Sequence, residues 1–312
     1  MTWPGFHYRP GERPQRSSEL HRETRSCDGS QWAPAQAWWS GGPVSLSMWT
    51  RCVVATTLML VAAACGGDPA GSPTPASTMP TASPEATSRF PELSEDELLA
   101  MSEPISVRGE AGVRLEGRLF GSGEVGVVLA HMGASGDQSQ WFELAGLLAE
   151  RGFGVLTFNR RGSCPGGDLG CSGGRDDGGG WKDLPYLVER LREAGVRTVV
   201  VGGASRGAME SLYALSRGLD ADGLIWVSGV DLYQGVPVTE QVGHVTVPKL
   251  FIAGEFDDEP ADLQRVFERT APEPTQIVTL DTGEHGTDIL DFAPTPIADE
   301  FRQAVLDFLE GL

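Results

Sequence analysis

The sequence predicts an α/β fold in which a mostly parallel, twisted sheet of about eight strands is covered by helices on both faces. Two observations carry this prediction. From residue 105 onward, short apolar runs alternate with longer amphipathic segments, as expected of buried parallel strands joined by crossover helices. In addition, His131, Ser205, Asp257 and His285 follow the predicted strands, and reactive groups in such folds lie at the carboxyl ends of the strands.

Eight runs are predicted as strands, and the first two are weak enough to form an antiparallel edge. In chain order the runs are 105–108, 113–120, 127–130, 154–158, 198–201, 223–228, 249–253 and 276–280. Some alternate in hydropathy and others are continuously apolar, which is typical of half-buried and fully buried strands respectively.

Four amphipathic helices are predicted between or after these strands, because apolar residues recur at helical spacing. Their buried faces are Trp141, Leu144, Ala145 and Leu148; Leu184, Leu187, Val188 and Leu191; Ala208, Leu212 and Leu215; and Ile297, Phe301, Ala304, Val305 and Phe308. Gly152, Gly195 and Gly218 end the first three helices, and we expect Asp183 to cap the second.

Length and charge narrow the class of protein. The chain has 312 residues, 40% of them apolar, and a formal net charge of −19. This leaves room for one domain of roughly 200–220 residues. The acidic balance argues against nucleic acid as a partner, and no cofactor motif is recognised. We expect a monomer.

The N-terminal third does not have the composition of a domain. Residues 52–64 form an apolar run of 13 residues behind Arg51, whereas a membrane-spanning helix needs about 20. The run has the length of a signal-peptide core, and Cys65 follows it in a context that resembles a bacterial lipoprotein signal. The resemblance implies lipidation of Cys65, a mature chain that begins there, and anchoring to the cell membrane outside the cytoplasm.

The predicted organisation therefore has four parts. Residues 1–47 are an upstream extension, with translation starting at Met48 or near Val44. Residues 48–64 are the signal peptide, and residues 65–95 are the lipidated cysteine with a Pro/Ser/Thr-rich flexible tether. Residues 96–312 form the folded domain.

Cysteine usage agrees with export. Cys164 and Cys171 lie in one glycine-rich loop, and such a pair outside the cytoplasm most simply forms a disulfide. A metal site is the rival interpretation, but no third or fourth ligand lies nearby, so no metal is predicted.

The residues 203–207, Gly-Ala-Ser-Arg-Gly, fit the pattern G-x-S-x-G, which is informative only between a strand and a helix and with an acid and a histidine downstream. The chain supplies that context in "LAHMGASGDQSQW", "TFNRRG", "GGASRGA", "FIAGEFDD" and "GEHGTDIL". Taken together, residues 105–312 resemble the α/β-hydrolase family. Within it they look most like the small, capless hydrolases near the dienelactone-hydrolase group, although Ser205 stands where dienelactone hydrolases proper have a cysteine.

The resemblance implies a catalytic triad in the order Ser, acid, His. Ser205 is the expected nucleophile, and His285 is the expected base because it alone among the histidines follows the acid-bearing turn. Asp257, three positions after the glycine of "FIAG", is the preferred acid. Asp231 is the alternative acid, and Asp258 is expected to be a solvated turn residue or a helix cap.

The resemblance also implies an oxyanion hole made of two backbone N–H groups. Arg206, directly after the nucleophile, supplies one of them. Gly133, two positions after His131, is expected to supply the other, with Met132 as the near alternative. His131 itself is expected to be a structural hydrogen-bonding residue.

Two connections bear on the substrate. Residues 162–181 form a long glycine-rich loop on the rim of the expected site, either pinned by Cys164 and Cys171 or gating the substrate; a calcium site is disfavoured because the spacing is not that of an EF-hand. Between Ser228 and Lys249 there are only 20 residues, which leaves no room for a helical cap domain. The pocket is therefore expected to be shallow and open.

These observations predict an extracytoplasmic, membrane-anchored serine hydrolase that resembles carboxylesterases and cleaves a small-molecule ester through an acyl-enzyme. A peptidase or amidase of the same fold is the nearest alternative. A catalytically silent hydrolase fold that serves as a surface binding module is the alternative from another class.

Overall fold

Strands and helices alternate along the described part of the chain as the apolar pattern predicts. The computed structural model describes residues 87–133 and 136–312. The strands are β1 (Ser102–Arg108), β2 (Arg114–Phe120), β3 (Val125–Ala130), β4 (Gly154–Phe158), β5 (Thr198–Ala204), β6 (Gly223–Val227), β7 (Leu232–Tyr233), β8 (Val236–Pro237), β9 (Lys249–Gly254) and β10 (Thr275–Leu280). All eight strands predicted from the sequence are present; five are longer than predicted by one to three residues, and β2 and β6 are one residue shorter.

Eight of the strands form one sheet in the order β1-β2-β4-β3-β5-β6-β9-β10, and β7 pairs with β8 in a separate small hairpin. Strand β2 runs antiparallel to both of its neighbours, and the pairs from β4 to β10 are parallel. The predicted antiparallel edge and mostly parallel sheet are confirmed. The parallel strands therefore end at a common edge, named here the carboxyl edge.

Helices cover both faces of the sheet. They are α1 (Glu95–Ala100), α2 (Phe142–Glu150), α3 (Leu184–Glu193), α4 (Arg206–Ser216), α5 (Val238–Gln241), α6 (Asp258–Thr270), α7 (Asp288–Phe292) and α8 (Thr295–Glu310). Helices α3, α4 and α6 contribute to the core on one face, and α2 and α8 contribute to the core on the other. The predicted helical faces are buried as expected, except that Ile297 and Ala304 are only partly buried.

Asp183 precedes helix α3 but does not cap it with its side chain, contrary to the expectation from the sequence. Its carboxylate instead accepts hydrogen bonds from Arg161 Nε at 2.8 Å and Arg161 Nη2 at 2.6 Å. It also accepts one from the Glu110 N–H at 2.9 Å. Two charge-assisted bonds to a nearly buried guanidinium are stronger than a single bond to a helix N–H, so the pairing prevails over the cap.

The last residues of the segment predicted as a tether contact the domain. Ser88 Oγ donates to Asp299 Oδ1 at 2.7 Å, and the Arg89 N–H donates to Asp299 Oδ2 at 2.8 Å. Phe90 is buried. Ser94 then begins α1 with a capping box, in which it exchanges hydrogen bonds with Glu97.

Residues 162–181 form an ordered loop beside β2. Cys164 and Cys171 form the predicted disulfide. The Ser172 N–H donates to Ser163 O at 2.9 Å, and the Gly173 N–H donates to Arg114 O at 2.7 Å, which joins the loop to β2. At its other end, Gly178 O accepts a hydrogen bond from the Tyr233 hydroxyl at 2.7 Å.

The connection between β6 and β9 holds only the β7–β8 hairpin, the one-turn helix α5 and the 3₁₀ turn Val242–His244. Within these described residues there is no cap domain, as the length of the segment predicts. The extension 1–47, the signal peptide 48–64, the lipid site Cys65 and most of the tether lie outside the described residues. None of the helices in residues 87–133 and 136–312 is long and apolar enough to cross a membrane.

We predict that the disulfide stabilises the loop more than the fold. Closing a loop of seven residues contributes at most about 2–3 kcal/mol to the free energy of unfolding. Cys164→Ser/Cys171→Ser should lose no more than this in urea denaturation, and the native thiols should resist alkylation until a reductant is added. Reductant should not destabilise the double variant further. Free thiols in native protein purified from its own compartment would contradict the assignment.

Candidate active site

Ser205 occupies a strained turn between β5 and α4, at the carboxyl edge of the sheet. Its backbone has φ +50° and ψ −115°, a left-handed conformation that a residue with a Cβ adopts only under constraint. The Ser205 N–H donates to Val227 O at 2.8 Å, and Ser205 O accepts from the Met209 N–H at 3.2 Å. These bonds tie the turn to β6 on one side and to α4 on the other.

The two glycines of the pentapeptide are required by close backbone packing. A Cβ on Gly203 would lie 2.6 Å from both Ala130 O and Gly207 C, and a Cβ on Gly207 would lie 2.7 Å from Ala130 C. Real side chains do not approach this closely, so any other residue would push α4 away from β3. The pattern G-x-S-x-G is therefore a packing requirement of this turn.

Asp257 and His285 come together at the same edge, as the motif order predicts. His285 Nδ1 lies 3.0 Å from both carboxylate oxygens of Asp257. Because a carboxylate only accepts, His285 Nδ1 carries the proton and Nε2 is left as the basic nitrogen. The hydrogen bond to Asp257 raises the pKa of His285 above its ordinary value, and partial burial opposes that shift.

The other two acids considered from the sequence have different surroundings. Asp258 is exposed and begins α6. Asp231 Oδ1 accepts hydrogen bonds from the Thr239 N–H at 3.1 Å and the Thr239 hydroxyl at 3.0 Å, at the start of α5. Of the three, only Asp257 is recorded in contact with His285 in the described part of the chain.

The loop that carries His285 packs against the elbow. A Cβ placed on Gly286 would lie 3.3 Å from Cβ of Ala204, the residue before the serine, and would collide with Met132 Sδ. Among the described residues the Ser205 hydroxyl forms no hydrogen bond with another side chain, so the serine and His285 share an edge without being hydrogen-bonded. In unliganded hydrolytic sites this bond often tightens only when substrate is bound.

The oxyanion hole predicted from the sequence needs two backbone N–H groups. The first is that of Arg206, the first residue of α4, which has no partner within its own helix. On the other side, the Met132 N–H is already used, because it donates to Gln140 Oε1 at 3.1 Å. The use of the Met132 N–H by Gln140 favours Gly133 over Met132 as the second donor.

His131 has the structural role expected from the sequence. Its Nε2 accepts from the Arg160 N–H at 3.1 Å, so Nδ1 is the protonated nitrogen and donates to Met132 O at 2.7 Å. Burial, together with the positive charge of Arg160, lowers the pKa of His131 to about 4. The ring is therefore neutral at physiological pH and holds the backbone that leads to Gly133.

Arg160, Asp176 and Glu210 were not anticipated as part of the site. Asp176 and Glu210 contact the side chain of Arg206, and Arg160 contacts both of these carboxylates. Glu210 is buried. The spacing of Arg206 and Glu210, four residues apart on α4, is the one sequence signal that could have revealed part of the group. In the described part of the chain, no group of three His, Cys, Asp or Glu side chains could hold a metal ion.

Solved structures share this architecture. An esterase from Pyrococcus furiosus matches with a TM-score of 0.57 and 17% identity over 73% of this chain and 96% of its own. An esterase from Exiguobacterium antarcticum matches with a TM-score of 0.54 and 12% identity over 67% of this chain and 100% of its own.

A monoacylglycerol lipase from Paleococcus ferrophilus matches with a TM-score of 0.52 and 16% identity, over 63% of this chain and 98% of its own. This chain has the α/β-hydrolase fold. No protein-family model matches the chain, and a comparison with curated proteins gives no match. The structure therefore shows the α/β-hydrolase fold, and the evidence for the chemistry of this protein lies in the residues of the site.

We predict opposite titration behaviour for the two histidines, measured by NMR of the imidazole resonances. His285 should titrate above the ordinary histidine pKa of about 6.5, because Asp257 stabilises its charged form. His131 should stay neutral until the pH approaches about 4. Asp257→Asn should lower the pKa of His285, whereas Asp258→Asn, the same change at the adjacent exposed residue, should not. An unchanged His285 titration in Asp257→Asn would contradict the pairing.

Proposed function

We propose that this protein is a serine hydrolase that cleaves carboxylic esters of small molecules through an acyl-enzyme intermediate. One observation carries the proposal. A serine on a strained strand-to-helix turn lies at the same sheet edge as a histidine whose Nδ1 is bound to a carboxylate. A serine hydroxyl is a poor nucleophile at neutral pH, and activation by an oriented base is what this arrangement supplies.

In the proposed reaction, His285 Nε2 takes the proton of the Ser205 hydroxyl as Oγ attacks the ester carbonyl carbon. The N–H groups of Gly133 and Arg206 stabilise the resulting oxyanion. Asp257 stabilises the protonated imidazole, which agrees with the raised pKa of His285. Collapse of the intermediate expels the alcohol, which takes the proton from His285. Water then attacks the acyl-enzyme with His285 again as base and releases the acid.

An ester is preferred over an amide or peptide as the substrate. The similar solved structures include proteins described as esterases and as a monoacylglycerol lipase. The short connection between β6 and β9 leaves the site without a cap domain, which suits a small substrate approached from an open rim. A silent binding module is disfavoured because it has no need to keep the serine, the acid and the histidine together.

The proposed location is the outer side of the cell membrane, with the protein anchored as a monomer by lipid on Cys65. The apolar run before Cys65 is too short to span a bilayer. A disulfide in the domain also suits an oxidising compartment.

The triad is tested by hydrolysis of a short p-nitrophenyl ester. Ser205→Ala and His285→Ala should each remove nearly all activity, and the double variant should be scarcely worse because the two residues act as a unit. Asp257→Asn should be severe, with a loss of about 10⁴-fold in kcat, because His285 loses the partner that orients it. A fluorophosphonate probe should label Ser205 in the parent protein.

Two matched control variants test the assignment of Asp257 as the acid. Asp258→Asn and Asp231→Asn remove the same charge near the site and should leave most of the activity. Wild-type turnover in Ser205→Ala would overturn the proposed function. Hydrolysis of amides with no measurable esterase activity would instead identify an amidase, and absence of probe labelling would favour the binding module.

Export is tested separately. Cys65→Ser should release the protein from the membrane fraction or leave it in the wrong compartment, since the lipid is the proposed anchor. Mass spectrometry of the mature protein should find a lipidated Cys65 at its N-terminus. A mature N-terminus upstream of Met48 would contradict both the start site and the lipoprotein assignment.

A further inference from the structure

Four charged side chains form a connected group beside the elbow, named here the rim cluster: Arg160, Asp176, Arg206 and Glu210. Arg160 Nη2 lies 3.1 Å from Asp176 Oδ2, and Arg160 Nε lies 3.7 Å from Glu210 Oε2. Arg206 pairs with the other oxygen of Asp176, and its Nε lies 3.2 Å from Glu210 Oε1. Each carboxylate thus lies between the same two guanidinium groups.

One end of the rim cluster holds the chain that leads to Gly133. Arg160 Nη1 donates to His131 O at 3.4 Å and to Met132 O at 3.3 Å. The Arg160 N–H also donates to the ring of His131. A single residue therefore binds the two residues before Gly133 through both its backbone and its side chain.

The other end holds the start of α4. Arg206 contributes its N–H to the proposed oxyanion hole, while its side chain is bound by Asp176 and Glu210. Glu210 lies one turn further along the same helix. The rim cluster therefore connects the two chain segments that would supply the two N–H groups, and these segments follow different strands, β3 and β5.

Stability alone does not account for these charges. Arg160 and Glu210 are almost completely buried, and burial raises the pKa of Glu210 despite the opposing effect of the two arginines. Replacing buried ion pairs by apolar residues is often neutral or stabilising, because removing the charges from water costs about as much as their attraction returns. Their contacts with the segment before Gly133 and with the side chain of Arg206 are better explained by a requirement for accurate geometry.

We propose that Arg160, Asp176 and Glu210 are positioning residues that hold the N–H groups of Gly133 and Arg206 at the separation needed to bind an oxyanion. The inference rests on the function proposed above and adds a role for residues that do not touch the substrate. Asp176 belongs to the glycine-rich loop of residues 162–181, so that loop would contribute to turnover through the rim cluster. Errors of about 1 Å in such a site can reduce rates about 100-fold.

The test is Asp176→Asn, which keeps the shape of a partly exposed side chain but removes the charge that joins the two arginines. We expect kcat for a short p-nitrophenyl ester to fall by about 10-fold or more, with KM within about twofold, because the hole binds the transition state and not the substrate. A trifluoromethyl ketone, which forms an oxyanion on Ser205, should bind more weakly by a similar factor. Arg160→Lys, which keeps the charge but loses the forked geometry, should act in the same direction.

Asp177→Asn is the matched control, because it removes the same charge from the adjacent, more exposed residue of the loop. Asp177 lies 3.9 Å from Arg161 and is not part of the rim cluster. The Asp177→Asn variant should leave kcat, KM and inhibitor affinity unchanged. The His285 titration should be the same in both variants and the parent, which separates an effect on the oxyanion hole from one on the base.

The outcomes distinguish the two proposals. Suppose that the parent protein shows esterase activity that depends on Ser205. If Asp176→Asn then has the same kcat and inhibitor affinity as Asp177→Asn, the positioning role is wrong and the proposed function stands. A loss in Asp176→Asn that appears only in the melting temperature, with kcat retained, also overturns the positioning role. If Ser205 is not labelled and the parent is inactive, the proposed function fails and the inference fails with it.

Discussion

The backbone turn at Ser205 is the constraint around which the rest of the described structure is arranged. A non-glycine residue at φ +50° costs about 1–3 kcal/mol, and it persists only where its surroundings leave no alternative. Here β5 is hydrogen-bonded between β3 and β6, and α4 packs so closely on β3 that Gly203 and Gly207 admit no side chain. The buried sheet therefore supplies the stability that holds the partly buried serine in an unfavourable conformation.

The order of strands in the sheet explains why residues distant in the sequence meet at this turn. Strand β3 is the neighbour of β5, so the segment from His131 to Gly133 lies beside Ser205. Strands β9 and β10 lie on the other side of β5, beyond β6. Asp257 and His285 follow these two strands and therefore lie at the same edge. Parallel strands all end at one edge, so the connections after β3, β5, β9 and β10 can together form one site.

The surroundings of the two histidines of the site shift their pKa values in opposite directions. His131 is enclosed by backbone and by Arg160, so its charged form is disfavoured and it acts as a neutral bridge between Arg160 and Met132. His285 is more exposed and faces Asp257, so its charged form is favoured. The same type of side chain therefore has two roles: His131 holds the backbone that leads to Gly133, and His285 is suited to accept a proton.

The sequence by itself determined the eight strands of the main sheet and four of the eight described helices (α2, α3, α4 and α8), because hydrophobic period is a local property. The choice of Ser205, Asp257 and His285 as partners came from the order of motifs that resembles a known family. The sequence could rank Asp257 above Asp231 only by resemblance; the contact with His285, and the use of Asp231 by Thr239, depend on how distant loops pack. It also placed Asp183 as a helix cap, whereas the fold brings Arg161 to its carboxylate. Apart from the spacing of Arg206 and Glu210 on α4, the rim cluster was decided by tertiary structure, since a buried ion pair leaves no periodic signal and the other members come from the segment after β4 and the glycine-rich loop.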